Sequence, residues 1–167
     1  KPYGLKGELN EPAVHINFVE AQMFCKWKNK RLPTEEEWMY AAYTETREKS
    51  QTDFIYKKTY QYPVGNTPVG ANCLGDCNFR NYVNYKKLLS RGNGHSKIAF
   101  TKKGINGLYD MGANVWEWAD IDNSEIKATK GGSWWYGKEQ MHIKHQARKD
   151  KKMSAVYIGF RCVKNLK

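Results

Sequence analysis

The 167-residue chain contains no run approaching the roughly 18 consecutive apolar residues that cross a membrane. Nothing at its start resembles a secretory leader, and it opens on Lys1 rather than Met. A processed chain or a piece of a longer one is therefore expected. Arginine is scarce, with 6 Arg against 22 Lys. Base-reading and phosphate-gripping surfaces lean on the planar guanidinium, whereas scattered lysine serves mainly as a solvated surface. The lysines fall in separate clusters, at Lys57-Lys58, Lys86-Lys87, Lys102-Lys103 and Lys149 to Lys152. The net charge of +11 thus predicts no nucleic-acid partner, although weak attraction to anionic glycans or lipid headgroups follows from it. Disorder is excluded as well, because 40% of the residues are hydrophobic and 14% aromatic. One domain with a real core is expected.

Cysteine is sparse too. Cys25, Cys73, Cys77 and Cys162 allow three pairings or a metal site. Cys73 and Cys77 stand as C-x3-C, and no second CxxC or His pair completes a zinc set. His142 and His145 are three apart without a third ligand, so they read as surface histidines in a basic loop; His15 and His95 are isolated.

Two helices are legible at their caps. Asn17 with Glu20, and Thr34 with Glu37, have capping-box spacing. Phe18, Ala21, Phe24, Cys25 and Lys28 recur at the helical period, and Glu35 to Glu37 load the second helix's first turn with favourable charge. Trp38, Ala41 and Ala42 form its predicted buried stripe. Residues 44–106 are polar and broken by Pro63, Gly65, Pro68, Gly70, Gly75, Gly92 and Gly94. So long an irregular stretch needs metal ions or disulfides to organise it. The last third predicts short antiparallel strands at 115–119, 126–130, 133–136 and 156–163, with Gly131-Gly132 as a turn or bulge. The whole, residues 1–167, reads as a single α+β domain.

Six blocks then occur in order: Phe24-Cys25-Lys26-Trp27, Arg31-Leu32-Pro33-Thr34-Glu35-Glu36-Glu37-Trp38, Gly107-Leu108-Tyr109-Asp110-Met111, Asn114-Val115-Trp116-Glu117-Trp118, Lys130-Gly131-Gly132-Ser133-Trp134 and Gly159-Phe160-Arg161-Cys162. Together they resemble the formylglycine-generating enzyme family, the sulfatase-modifying-factor domain, from about Phe18 to Cys162. The resemblance implies a C-type-lectin-like scaffold with much irregular structure, stabilised by calcium and disulfides. The family's N-terminal portion has no counterpart before Lys1.

The resemblance also implies which chemistry is missing. Catalytic members carry two cysteines, three and eight residues after the serine of the Lys-Gly-Gly-Ser stretch, and these bind copper(I). Here those positions are Tyr136 and Met141. A phenol and one thioether cannot replace two thiolates. No catalytic residue and no copper are therefore expected. The wider superfamily includes ergothioneine-synthase-type proteins, pyoverdine-maturation proteins, lipoproteins of gliding and secretion machinery, and hypervariable ligand-binding proteins, which keep the fold without those cysteines. The iron-binding histidines of the ergothioneine enzymes belong to a separate helical domain, so an iron enzyme is not supported here.

By the same resemblance, Asp110, Ala113, Val115 and Glu117 hold calcium, the middle two through main-chain oxygen. The competing reading is that Glu117 simply pairs with a neighbouring Lys or Arg. A second calcium site would use Asn72 and the carbonyl of Cys73. The resemblance further implies a Cys25–Cys162 disulfide, hence a periplasmic, cell-envelope or secreted location; the alternative is two buried free thiols. Whether Cys73 and Cys77 also pair stays open. Trp116 and Ser133 match groove-lining positions. With Trp135, Tyr136, Met141 and Arg148 they make a candidate groove for an extended peptide, a glycan or an envelope protein partner; the alternative is an occluded pseudo-active site filled by these side chains. The expectation is a pseudoenzyme used for binding or assembly. The alternative is a sulfatase-modifying-factor-type oxidoreductase with altered chemistry.

Overall fold

The computed structural model describes residues 9–50, 52–78 and 94–165; Lys86-Lys87 and Gly92 lie outside them. Both helices form where their caps predict. α1 spans Phe18–Trp27, and the Asn17 side chain and the Glu20 carboxylate each accept the other residue's amide at 2.9 Å. Two of the end's orphan donors are thereby satisfied. α2 spans Glu35–Tyr43 with the same reciprocal box between Thr34 and Glu37. The Arg31 guanidinium and the Thr34 amide hold the Glu37 carboxyl down at about 2.

Four short strands make one sheet. They are β1 Trp116–Ala119, β2 Ile126–Lys130, β3 Ala147–Asp150 and β4 Ile158–Gly159, in the spatial order β3-β2-β1-β4. The first three run antiparallel, but β4 joins β1 in parallel, which corrects the all-antiparallel expectation. Because strand side chains alternate, the sheet offers a different apolar face to each helix. Trp116 and Trp118 pack with Phe18, Ala21, Cys25 and Ile158 on the α1 side. Ala119 and Ala128 pack with Trp38, Ala42, Tyr43 and Met111 on the α2 side. The helices thus cover opposite faces of one layer.

Several expectations need correction. Phe24 is 46% exposed, so it leaves α1's buried stripe, and Ala41 is only half-buried. Residues 133–136 form a turn rather than a strand, closed by the Tyr136 amide on the Ser133 carbonyl at 3.1 Å. The cause is the preceding glycine pair, at φ 88° and 74°. A Cβ at Gly131 would also sit 2.7 Å from the Met111 carbonyl oxygen. The strand expected over 156–163 shrinks to Ile158–Gly159, although Val163 still bridges to Arg31. β3 was not expected; its charged Arg148-Lys149-Asp150 run hides an edge strand.

The irregular middle is pinned by hydrogen bonds between loops. The Glu45 carboxylate, shut off from solvent, accepts from Arg47 and from the Asn106 amide, which pulls its pKa to about 2. The Asn106 amide group donates to the Ala41 and Thr44 carbonyls at 2.9 and 2.7 Å, tying the middle to the end of α2. The Lys102 amide reaches Gly70 and the Ile105 amide reaches Pro63. Irregular backbone inside a compact domain is tolerable because its polar groups find such partners.

Candidate functional site

All four cysteines are in disulfides. Cys25 pairs with Cys162 at a Cα separation of 5.5 Å, and Cys73 with Cys77 at 5.4 Å. The first pair matches the expectation and the second resolves the open question. Disulfides of this kind belong to an oxidising, non-cytosolic compartment. Among the described residues no helix is long and apolar enough to cross a membrane.

The two positions that would carry copper cysteines lie in different surroundings. Tyr136 packs edge-on to Trp116 and Tyr157, with ring centroids 6.1 and 5.6 Å away. Met141 is fully buried in a cluster with Ala113, Val64 and the Cys73–Cys77 disulfide, and its carbonyl accepts the Tyr43 hydroxyl at 2.9 Å. No thiolate is available at either place.

Around Trp116 an aromatic and cationic constellation assembles. The His145 ring lies 5.8 Å from Trp116, and the Lys149 ammonium sits 4.9 Å over the Trp116 face. Trp135 packs on Tyr157 at 5.5 Å. Burial lowers the pKa of Lys149; burial and then the nearby Lys130 and Lys149 lower that of His145. Burial and a hydrogen bond with Tyr136 push the Tyr157 phenol up to about 12. Trp116 is 3% exposed, and its indole N–H has no hydrogen-bond partner among the described residues. A buried donor without an acceptor costs roughly 1–3 kcal/mol, and Tyr136, His145 and Lys149 pack around this ring and close it to solvent. Beside His145 opens a shallow depression of about 340 Å³, lined also by Tyr62, Glu139, His142 and Lys144. The depression offers flat rings at Tyr62, His142 and His145 and a cation at Lys144 to an apolar or anionic group.

Of the six groove residues expected, Trp116, Trp135 and Tyr136 come together. Ser133 is buried behind them, its hydroxyl accepting the Trp135 amide at 3.4 Å. Met141 is sealed in the disulfide cluster. Arg148 is on the sheet's other face, where it bonds Glu35 at 2.7 and 3.0 Å. Both of these expectations are corrected by side-chain alternation and burial. Lys149, His145 and Tyr157 were missed as site residues. The period-two alternation of β3 would have placed Lys149 on the Trp116 side, had that strand been legible.

The expected calcium ligands are partly gathered. Asp110, Val115 and Glu117 line one cleft of about 410 Å³. Asp110, Ala113 and Asn114 all adopt left-handed backbone, at φ 61°, 58° and 59°. Three such non-glycine residues in five mark a loop held in a costly shape, as ligand clamps are. The Asp110 carboxylate accepts from the Ala99 amide and the Thr101 hydroxyl, at 2.6 and 2.8 Å. Glu117 accepts the Trp38 indole at 2.7 Å and a two-pronged bond from Arg161. Glu117 thus pairs with an arginine, as the competing reading has it, and no group of three metal-binding side chains gathers among the described residues, so a cation here would depend on main-chain oxygen. Arg161 cancels one of the two negative charges that a cation would meet in this cleft. Asn72 is a scaffold residue: its amide donates to Gly94 and Asn114, both at 3.0 Å, and its carbonyl accepts the Asn114 amide. Cys73 next to it is in the local disulfide.

These features define a class: an α+β domain braced by disulfides, with aromatic and cationic side chains packed around Trp116 and no thiol among them. The family model of the sulfatase-modifying factor enzyme 1-like domain matches residues 2–166, and the chain belongs to that family. It is 30% identical over 170 residues to the inactive C-alpha-formylglycine-generating enzyme 2 of Bos taurus, covering 95% of this chain and 52% of the relative. It is also 30% identical over 117 residues to the formylglycine-generating enzyme of Streptomyces coelicolor, covering 68% and 33%. The chain spans about half the length of the first curated relatives it matches. The crystal structure of a protein called CarF superposes with a TM-score of 0.68 at 18% identity, over 95% of this chain and 69% of that one, a likeness of fold.

Proposed function

We propose that this chain is a non-catalytic binding or assembly domain of its family, acting in the bacterial cell envelope or as a secreted protein. Its groove around Trp116 would hold an extended peptide, a glycan ring or a segment of an envelope protein. The observation that carries this reading is that phenol and thioether occupy the two copper positions while every cysteine is in a disulfide. Soft copper(I) has no thiolate pair to bind. Anaerobic copper(I) titration of the purified protein should therefore give no stoichiometric tight site. Incubation with a sulfatase-type Cys-x-Pro-x-Arg peptide and oxygen should leave the peptide cysteine unchanged by mass spectrometry. Conversion of that cysteine to the aldehyde would overturn the reading.

Calcium belongs to the same proposal as a structural ion. Asp110 and Glu117 would supply carboxylate oxygen, with Ala113 and Val115 supplying carbonyl oxygen. Its contribution would be to fix the left-handed loop that leads into β1. Because binding to the native state alone raises stability by mass action, the melting temperature should rise in millimolar calcium and fall on chelation. An unchanged melt, with no calcium found by elemental analysis, would remove the ion from the proposal.

A further inference from the structure

α1 is apolar on two opposite faces. Phe18, Ala21 and Cys25 are buried under the sheet. Val19, Met23 and Trp27 recur at i, i+4 and i+8, with Phe24 beside them. At roughly 100° per residue this second stripe points away from the core. Its members Val19, Met23, Phe24 and Trp27 are 40%, 66%, 46% and 70% exposed. A helix that only covers a core carries polar residues on that side. Clustered apolar exposure of this kind marks an interaction surface. The rings also support one another, Phe24 lying 5.7 Å from Trp27 and 5.5 Å from Phe160.

The surroundings select the occupant. Lys26, Lys28 and Lys30 are exposed next to the stripe and make no ion pair among the described residues. The Lys28 ammonium sits 4.1 Å over the Trp27 ring. Glu20, the lone carboxylate over residues 18–30, is turned back on the Asn17 amide. A second copy of the chain would set these lysines against their equivalents. An anionic lipid surface instead offers phosphate charge to the ammonium groups and an apolar boundary to Trp27 and Met23. We propose that α1 seats this domain on an anionic lipid surface, with Met23, Phe24 and Trp27 entering the headgroup boundary and Lys26, Lys28 and Lys30 on the phosphates. This surface is separate from the Trp116 groove.

Vesicle flotation tests it, comparing phosphatidylglycerol–phosphatidylcholine vesicles with pure phosphatidylcholine. The protein should float with the anionic vesicles, less so at high salt, and stay behind with the neutral ones. Met23→Ser with Trp27→Ser, or serine at all three lysines, should cut binding at least about tenfold, with the melting temperature unchanged. No binding to anionic vesicles would overturn the proposal. So would equal binding by the Met23→Ser/Trp27→Ser variant, which would reduce the effect to bare lysine attraction. A dimer in sedimentation that this variant dissociates would overturn it too, assigning the face to a second copy.

Discussion

Replacing Cys25 and Cys162 together by alanine is expected to remove about 5 kcal/mol of stability in the chain-entropy model, much of the 5–15 kcal/mol an ordinary domain possesses. The bridge joins residues 137 apart and so restricts nearly the whole unfolded chain. It also ties α1's buried face to the segment that follows β4, since Cys25 sits in the core and Cys162 packs against it. Urea unfolding of the double variant against the parent measures the loss. The Cys73–Cys77 bridge spans only 4 positions, so its removal should cost less, about 2 kcal/mol in the same model. A Cys25/Cys162 variant within 1 kcal/mol of the parent would show that packing, not the crosslink, holds α1 to the last strand.

Arg161→Met is expected to cost about 3 kcal/mol, because it strands a buried carboxylate. Glu117 has a side chain only 5% exposed, and Arg161 meets it with two nitrogens, one at 2.6 Å, while also donating to the Tyr109 carbonyl. Burial works against the Arg161 charge, yet Glu117, aided by Asp110, raises its pKa. Without it, Asp110 and Glu117 would face the cleft as two like charges. Two signatures separate this account from simple loss of packing. Glu117→Gln combined with Arg161→Met should recover part of the deficit, since a buried pair replaced on both sides is far less costly than one broken. Millimolar calcium should rescue Arg161→Met more than it stabilises the parent, because the cleft gains a full negative charge. Additive losses in the double variant would refute the ion-pair account.

How much could be read in advance depends on the range of the interaction. Both helix starts were legible because a capping box is closed within four residues. β1 and β2 were legible from alternation and β-formers. β3 was not, because Arg148, Lys149 and Asp150 at a sheet edge look like any solvated loop. Phe24 was assigned inward since helical period alone cannot say which of two apolar stripes meets the core. Position along the chain puts Met141 and Arg148 near the groove, but burial seals Met141 beside the Cys73–Cys77 disulfide and the alternation of β3 turns Arg148 to Glu35.

The sequence by itself determined the chemistry that is possible: which residues stand at the copper positions, how many thiols exist, and where charge accumulates. These are properties of composition and order, independent of conformation. Only the tertiary structure decided that Glu117 faces Arg161 across 44 positions, that Lys149 and His145 gather at Trp116, and that α1 keeps an apolar stripe uncovered. Each of those depends on which faces two distant segments turn toward each other. That is settled by burial of the whole core at once, and no local pattern encodes it.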